Sequence, residues 1–122
     1  MKFDFDNVEK PIFLQLAEQV EDGILTGAFP EESAVPSITE FSVQYRINPA
    51  TANRGINLLV DEGIVYKRRG IGMFVSAGAK EKVRQKRKQL FVERYITPLL
   101  FEAEALGISA DEIKSLIDGC KK

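Results

Sequence analysis

The chain has 122 residues, of which 44% are hydrophobic and 29% are charged, and its formal net charge is −1. This length suits one domain with a modest core plus an appendage, and the composition is ordinary for a soluble protein. With one cysteine and no histidine, an internal disulfide, a zinc site and a histidine-dependent catalytic triad are excluded.

No apolar run approaches the ~20 residues of a membrane span. The first residues, Met-Lys-Phe-Asp-Phe-Asp, are acidic where a signal peptide needs a basic and then an apolar stretch. The sequence therefore predicts a cytoplasmic protein with no membrane partner and no cofactor.

The charges are distributed unevenly along the chain. Residues 1–65 carry four basic and eleven acidic side chains, residues 66–88 carry nine and one, and residues 89–122 carry four and six. Such a basic segment indicates a polyanionic partner, although a charged run by itself is more often a solvated face.

A polar lead-in is predicted for residues 1–10, followed by a first helix that begins at Pro11 and ends at Gly27. Its apolar face is predicted from residues that recur every four positions: Ile12, Leu16, Val20 and Ile24. Its other side is predicted to carry polar residues: Gln15, Glu18, Glu21 and Asp22. The connector at residues 28–33 carries Phe29, which is predicted to plug the core.

Two helix starts then lie eleven residues apart. Ser37 and Glu40 form a capping box, and Asn48 followed by Pro49 gives an N-cap and an N1 proline. Gly63 is predicted to end the second helix. The buried stripes are predicted to be Ile38, Phe41 and Tyr45 in one helix and Ala52, Ile56, Leu59 and Val60 in the next. Two short helices joined by a tight turn indicate a helix-turn-helix.

The outward side of the second helix carries short polar or basic residues near its start: Ala50, Thr51, Asn53, Arg54 and Asn57. Such side chains suit a helix whose N-terminal end enters the DNA major groove. Arg54 could bind a guanine O6 and N7 there, or it could be a phosphate clamp or the partner of a nearby acid. An ordinary αα-hairpin with a solvated polar face is the alternative interpretation of this segment.

A β-hairpin is predicted directly behind these helices, with strands at residues 64–68 and 73–75. Its tip carries three basic residues and two glycines: Lys67, Arg68, Arg69, Gly70 and Gly72. The glycines permit positive φ and close approach to phosphate. We interpret the hairpin as a wing on the DNA backbone, because no helix start follows to make the Gly-x-Gly turn a phosphate-binding loop.

After a break of small residues at 76–78, a long helix is predicted from Lys80 to about Ala105. It is basic at first, and phosphate contacts are also predicted from residues 80–88. Pro98 predicts a kink or break near Thr97, and Gly107 closes the helix.

Ser109 and Glu112 form a second capping box, which predicts a last helix. The apolar residues of these two helices have nothing obvious in the same chain to cover them, so a partner chain is the simplest cover. The sequence therefore predicts two parts: a DNA-binding domain at residues 1–78 and a helical dimerisation segment at residues 79–122.

Residues 11–76 resemble the winged helix-turn-helix of GntR-type bacterial transcription regulators. The resemblance is carried by these segments in the family's order and spacing: Pro11-Ile-Phe-Leu-Gln-Leu, Gly23-Ile-Leu-Thr-Gly, Val35-Pro-Ser-Ile, Asn48-Pro-Ala-Thr-Ala, Asp61-Glu-Gly-Ile-Val and Arg68-Arg-Gly-Ile-Gly-Met-Phe-Val. The short tail is similar to the YtrA-type branch, in which two C-terminal helices dimerise. The resemblance implies a mainly α (α+β) fold, with an N-terminal winged helix-turn-helix and a C-terminal two-helix dimerisation appendage. It also implies a homodimeric regulator, usually a repressor, that binds a pseudo-palindromic operator and is not an enzyme.

The resemblance and the basic hairpin tip together give a set of candidate DNA-binding residues: Ser37, Thr39, Asn48, Ala50, Thr51, Asn53, Arg54, Lys67, Arg68, Arg69, Gly70 and Gly72. Three positions depart from the family pattern. Thr39 stands where the family usually has a DNA-contacting arginine, and Ala50 is smaller than the usual polar residue. Arg46 replaces the turn glycine, so either a non-glycine residue holds that turn or the turn geometry differs.

Two other classes of function compete with DNA binding. A winged helix that binds protein and uses its basic segment as a scaffold is the alternative, and it predicts no affinity for DNA at moderate salt. A small enzyme finds little support, because the adjacent acidic pairs have no base or nucleophile beside them. A small-molecule effector could bind near Phe91, Tyr95 and Phe101, although at this spacing aromatic residues are more often core or dimer contacts.

Overall fold

A computed structural model of the chain describes residues 10–121, so the predicted lead-in lies almost entirely outside the described residues. The elements in chain order are α1 (Ile12–Thr26), β1 (Ala34–Val35), α2 (Ile38–Tyr45), α3 (Pro49–Asp61), β2 (Val65–Arg68), β3 (Gly72–Val75), α4 (Ala79–Phe91), a π-helical segment (Val92–Ile96), α5 (Thr97–Leu106) and α6 (Ala110–Cys120). The described residues form two compact units, one up to Arg84 and one from Gln85 onward, and the division falls within α4. The mainly helical fold with a small antiparallel sheet confirms the predicted fold class.

Helix α1 is the centre of the first unit. It ends at Gly27, which has a left-handed φ of +87°, as the sequence predicts. Gln15 and Glu21, expected on its polar side, are instead buried, with 7% and 1% of their surfaces exposed. The buried residues of α1 cover roughly two-thirds of its circumference at about 100° per residue, so a prediction of one apolar face was too narrow. The Gln15 side-chain nitrogen is satisfied by the Lys10 carbonyl at 2.9 Å.

The helix-turn-helix forms where its caps are predicted. The Glu40 N–H donates to Ser37 Oγ at 3.0 Å and the Ser37 N–H donates to Glu40 Oε1 at 3.1 Å, which completes the capping box. Asn48 Oδ1 accepts the Ala50 N–H at 2.8 Å at the start of α3. Arg46 holds the turn between the helices in the left-handed conformation, at φ 54° and ψ 46°. A non-glycine residue therefore holds that turn.

Replacing Arg46 by glycine should raise the free energy of unfolding by about 0.5–1 kcal/mol. The left-handed conformation costs an L-residue roughly 1–2 kcal/mol, and the greater backbone entropy of glycine in the unfolded chain offsets part of the gain. Urea unfolding of both proteins measures the change. Gln44→Gly, inside α2, is the matched control and should lower stability by roughly 0.5–1 kcal/mol. A loss of stability in both variants would contradict the expectation.

The sheet has the order β1-β3-β2, and both of its pairings are antiparallel. The hairpin of β2 and β3 is the predicted wing, with Val65 opposite Val75 and Arg68 opposite Gly72. Strand β1 was not predicted, because two residues are too few to show an alternating pattern. Its pairing is extended by bonds from the Glu32 N–H to the Val75 carbonyl and from the Val75 N–H to the Ser33 carbonyl.

In the second unit the helix does not break at Pro98. A π-helical segment precedes the proline, and the Thr97 N–H donates to the Val92 carbonyl five residues back. The wider turn accommodates a residue that lacks an N–H and whose ring would clash in a regular helix. The start of α6 shows the forward capping bond, from the Glu112 N–H to Ser109 Oγ at 3.1 Å. None of the helices within residues 10–121 is both long and apolar enough to cross a membrane.

Candidate nucleic-acid interface

The start of α3 presents its polar residues outward because the opposite side of the helix is buried. Ala52, Ile56 and Leu59 are fully buried. Ala50, Asn53 and Arg54 are exposed, while Thr51 and Asn57 are half-buried. The predicted outward set therefore lies on one accessible side of the helix, beginning at the Asn48 cap.

Helices α1 and α3 approach each other closely at Gly55. A Cβ atom added to Gly55 would lie 2.7 Å from the Phe13 carbonyl oxygen and 3.3 Å from Leu16 Cδ2. Only a residue without a side chain fits this contact. The close approach brings the Phe13 ring beside Arg54, the residue that precedes Gly55 in α3.

The Arg54 guanidinium stacks on Phe13, and its Cζ atom lies 3.9 Å from the ring centroid. Among residues 10–121 the structure shows no hydrogen bond or ion pair for this guanidinium. Both residues line an open groove of about 490 Å³ on the outer side of α3, together with Asn53, Asn57 and Asp61. Sequence reasoning placed Arg54 on the accessible side but gave no sign of the stack, since Phe13 lies forty-one residues earlier in the chain.

The wing is joined to α3 by a direct hydrogen bond. Lys67 Nζ donates to Asn57 Oδ1 at 3.0 Å, so one of the basic residues of the wing lies beside the recognition face. The Arg68 Cζ atom lies 5.4 Å from the Phe74 ring centroid. Arg69, Gly70 and Gly72 are exposed at the tip, and the two glycines have φ of +77° and +149°.

The base of the wing is held by a bond from the connector. The Tyr66 hydroxyl donates to Glu32 Oε2 at 2.9 Å, and the Tyr66 ring stacks on Phe74 with centroids 5.8 Å apart. The hydrogen bond to Glu32 raises the pKa of Tyr66 above its ordinary value, with burial and the Glu32 charge acting in the same direction. A tyrosine hydroxyl is protonated at neutral pH even at its ordinary pKa, so it has the proton that this bond needs.

The remaining predicted residues lie on α2 and at the start of α4. The Ser37 hydroxyl is engaged as the N-cap of α2, and Thr39 is exposed in the first turn of that helix. Two cations at the start of α4 already have partners within the first unit: Lys82 Nζ donates to the Gly63 carbonyl at 3.2 Å, and Arg84 forms an ion pair with Glu81 at 3.2 Å. Ile71, which sequence reasoning passed over, is 70% exposed at the tip of the wing.

A helix-turn-helix followed by a basic hairpin that contacts the second helix defines the winged helix-turn-helix class of DNA-binding proteins. Residues 13–75 match the family described as bacterial regulatory proteins, gntR family. The chain belongs to this family, and it is a DNA-binding transcription regulator rather than an enzyme.

Named relatives agree with this family. The chain is 33% identical to the HTH-type transcriptional repressor NagR of Bacillus subtilis (strain 168) over 75 residues, which are 62% of this chain but 31% of NagR. It is 27% identical over 112 residues to the regulator YhcF of the same organism, which covers 92% of this chain and 88% of YhcF. For the repressor YtrA, also from that organism, the identity is 25% over 107 residues, and the shares are 88% and 82%. The match to short regulators over most of their length confirms the resemblance to the YtrA-type branch.

Solved structures show the same fold. A GntR-family structure from Bacteroides thetaiotaomicron is 34% identical, has a TM-score of 0.78, and covers 88% of this chain and 94% of its own. The AraR(DBD) chain, crystallised in complex with operator ORR3, is 26% identical with a TM-score of 0.51. That match covers 52% of this chain and 77% of the AraR chain.

Proposed function

We propose that the protein is a repressor that binds a pseudo-palindromic operator as a homodimer. The observation that carries the proposal is the exposed start of α3 lying beside a basic wing, bridged to it by Asn57 and Lys67. The names of NagR and YtrA, both called repressors, and the AraR complex with its operator support the same reading.

Within this proposal the contacts divide between base reading and positioning. Asn53 and Arg54 project from the first turns of α3, where a recognition helix contacts base edges. Lys67, Arg68 and Arg69, with Gly70 and Gly72 at the tip, contact phosphates and carry no sequence information themselves. The remaining candidates start the two helices and support the backbone contacts: Ser37, Thr39, Asn48, Ala50 and Thr51.

The dimer is assigned to the second unit because its apolar residues are uncovered. Among the described residues from 85 onward, nine large hydrophobic side chains are at least 40% exposed: Phe91, Val92, Tyr95, Leu99, Leu100, Phe101, Leu106, Leu116 and Ile117. In the same part of the chain the one hydrophobic residue that counts as buried is Ala103. Soluble monomers rarely expose so large a set together, so a second copy is the proposed cover. A small-molecule effector that binds near Phe91, Tyr95 and Phe101 stays a prediction from the sequence.

Affinity for DNA should fall linearly as the logarithm of the salt concentration rises, by about 0.9 logarithmic unit for each phosphate contacted. Arg68→Ala should weaken binding to operator and random duplexes about equally and flatten the salt slope by roughly one unit. Titration of labelled duplexes at four salt concentrations measures both quantities. Lys114→Ala makes the same change of charge on α6, in the second unit, and should leave the slope unaltered.

Absence of DNA binding at low salt, or an affinity that does not depend on salt, would contradict the proposal. It would favour the alternative in which the winged helix binds protein. A selection from a random duplex library then tests the operator itself, since a symmetric dimer should enrich an inverted repeat.

A further inference from the structure

We propose that Phe13, in α1, is a specificity-determining residue whose ring holds the Arg54 guanidinium in the orientation that reads a base. The inference rests on the proposed operator binding. It assigns a role in DNA recognition to a residue outside the helix-turn-helix and outside the wing.

The stack engages the face of the guanidinium and leaves its edge available. Arg54 is exposed, and its Cζ atom lies 3.9 Å from the Phe13 ring centroid, within the range of a cation–π contact. The N–H groups of a guanidinium lie in its plane, so stacking on one face does not occupy them. Within the described part of the chain they have no hydrogen-bond partner. The edge is therefore free to donate two parallel bonds to a guanine O6 and N7.

The position of Phe13 is itself fixed by the backbone. Its carbonyl oxygen faces Gly55 at a distance that leaves no room for a Cβ atom. Gly55 directly follows Arg54 in α3, so the contact that sets the spacing of the two helices also sets the ring beside the arginine. Phe13 is half-buried, which leaves part of the ring to face the guanidinium.

An exposed arginine on a helix would otherwise sample many rotamers, and binding would have to order it. A side chain already held in its bound orientation loses less entropy on binding, so its interaction discriminates more strongly between bases. Asp61 lines the same groove, but no ion pair joins it to Arg54 among residues 10–121. The aromatic ring is thus the contact that restrains this arginine in the structure.

The stack can be tested first on the free, full-length protein by nuclear magnetic resonance. Protons of Arg54 near the ring face should resonate upfield of exposed arginines such as Arg69. The shift should disappear in Phe13→Leu, which keeps an apolar side chain, and persist in Phe13→Tyr, which keeps the ring. Thermal unfolding of both variants controls for damage to the fold. Arg54 resonances that do not differ between wild type and Phe13→Leu would overturn the proposal.

The role in recognition is tested on a duplex selected by the wild-type protein. Arg54→Ala should lower the preference for one base pair in each half-site by about 10–100-fold. Phe13→Leu should lower the preference for the same base pair by about 3–10-fold, leave affinity for random duplex within about twofold and leave the salt slope unchanged. Phe13→Tyr should retain the wild-type preference. In the Arg54→Ala background, Phe13→Leu should have no further effect.

Each other result has a definite meaning. A Phe13→Leu protein with the wild-type base preference, or one that loses affinity equally on all duplexes, would overturn the inference. So would additive losses in the double variant, because Phe13 would then act independently of Arg54. If the wild-type protein selects no sequence, the proposed function is overturned. If the wild-type protein selects a sequence and Phe13→Leu does not change that preference, only the role of Phe13 is overturned.

Discussion

Replacing Leu116 by aspartate should convert the protein to a monomer and lower its affinity for an operator by about 100-fold or more. Leu116 is 57% exposed on α6 and lines an apolar groove of about 570 Å³ between α5 and α6. A carboxylate there would have to be buried in any interface that covers the groove, which is strongly unfavourable. Loss of the second half-site contact removes an avidity gain of roughly 10²–10⁴. Sedimentation velocity and operator titration measure the two effects.

Ser115→Asp is the matched control, because it adds the same charge to the adjacent residue of α6. Ser115 lies roughly 100° around the helix from Leu116 and away from the groove. This variant should remain dimeric and keep the wild-type affinity. A Leu116→Asp protein that sediments as a dimer would move the interface elsewhere.

A truncated chain is a weaker test of the proposal that the second unit forms the dimer. Ala79 and Val83, at the start of α4, are completely buried in the core of the first unit. A chain that ends at Gly78 would lose these two contacts as well as the tail, so weak binding could reflect an unstable domain. The division between the compact units after Arg84 places the appropriate cut six residues later.

Replacing Gly55 by alanine should lower the free energy of unfolding by about 1–3 kcal/mol. The new Cβ atom would lie 2.7 Å from the Phe13 carbonyl oxygen, and the neighbour is backbone rather than a flexible side chain. Helix α1 would have to move away from α3, and overpacking of this kind carries a cost of that size. The substitution would otherwise be favourable, since alanine is the better helix former. Urea unfolding monitored by circular dichroism gives the difference.

Gly119→Ala supplies the matched control for this prediction. Gly119 is also helical, but a Cβ atom added there meets nothing within 4 Å. The same change should therefore leave stability unaltered or raise it by up to about 1 kcal/mol. If the two substitutions had similar effects, the close approach of α1 and α3 at Gly55 would not be the cause.

Much of the fold could be predicted because its signals are local. The Ser37–Glu40 box, the Asn48–Pro49 start and the glycines at 27 and 63 each depend on residues within one turn of each other. The hairpin at residues 65–75 is equally local. Each of these features is specified by the chemistry of a cap or a turn, which does not need the rest of the chain.

The features that sequence reasoning missed depend on residues far apart in the chain. The burial of Glu21 follows from how other elements surround α1, and a single helix pattern cannot show this. The stack of Arg54 on Phe13 and the bond of Lys67 to Asn57 depend on the distance between packed elements. For the candidate site, the sequence therefore indicated which residues are accessible but not how they are held.

The π-helical segment ahead of Pro98 changes the phase of the helix that contains it. A π turn holds one residue more than an α turn, so it rotates every later side chain by about 100° relative to an unbroken α-helix. Each residue of α5 therefore faces the direction that an unbroken α-helix continuing from α4 would give to a neighbouring residue. Removing one residue from the segment would lengthen the regular helix and turn the apolar surface of α5 by the same angle. Leu99, Ala103 and Leu106 all follow the segment, so their spacing along the groove does not depend on the extra residue. The extra residue sets the direction in which they face relative to Phe91, at the end of α4.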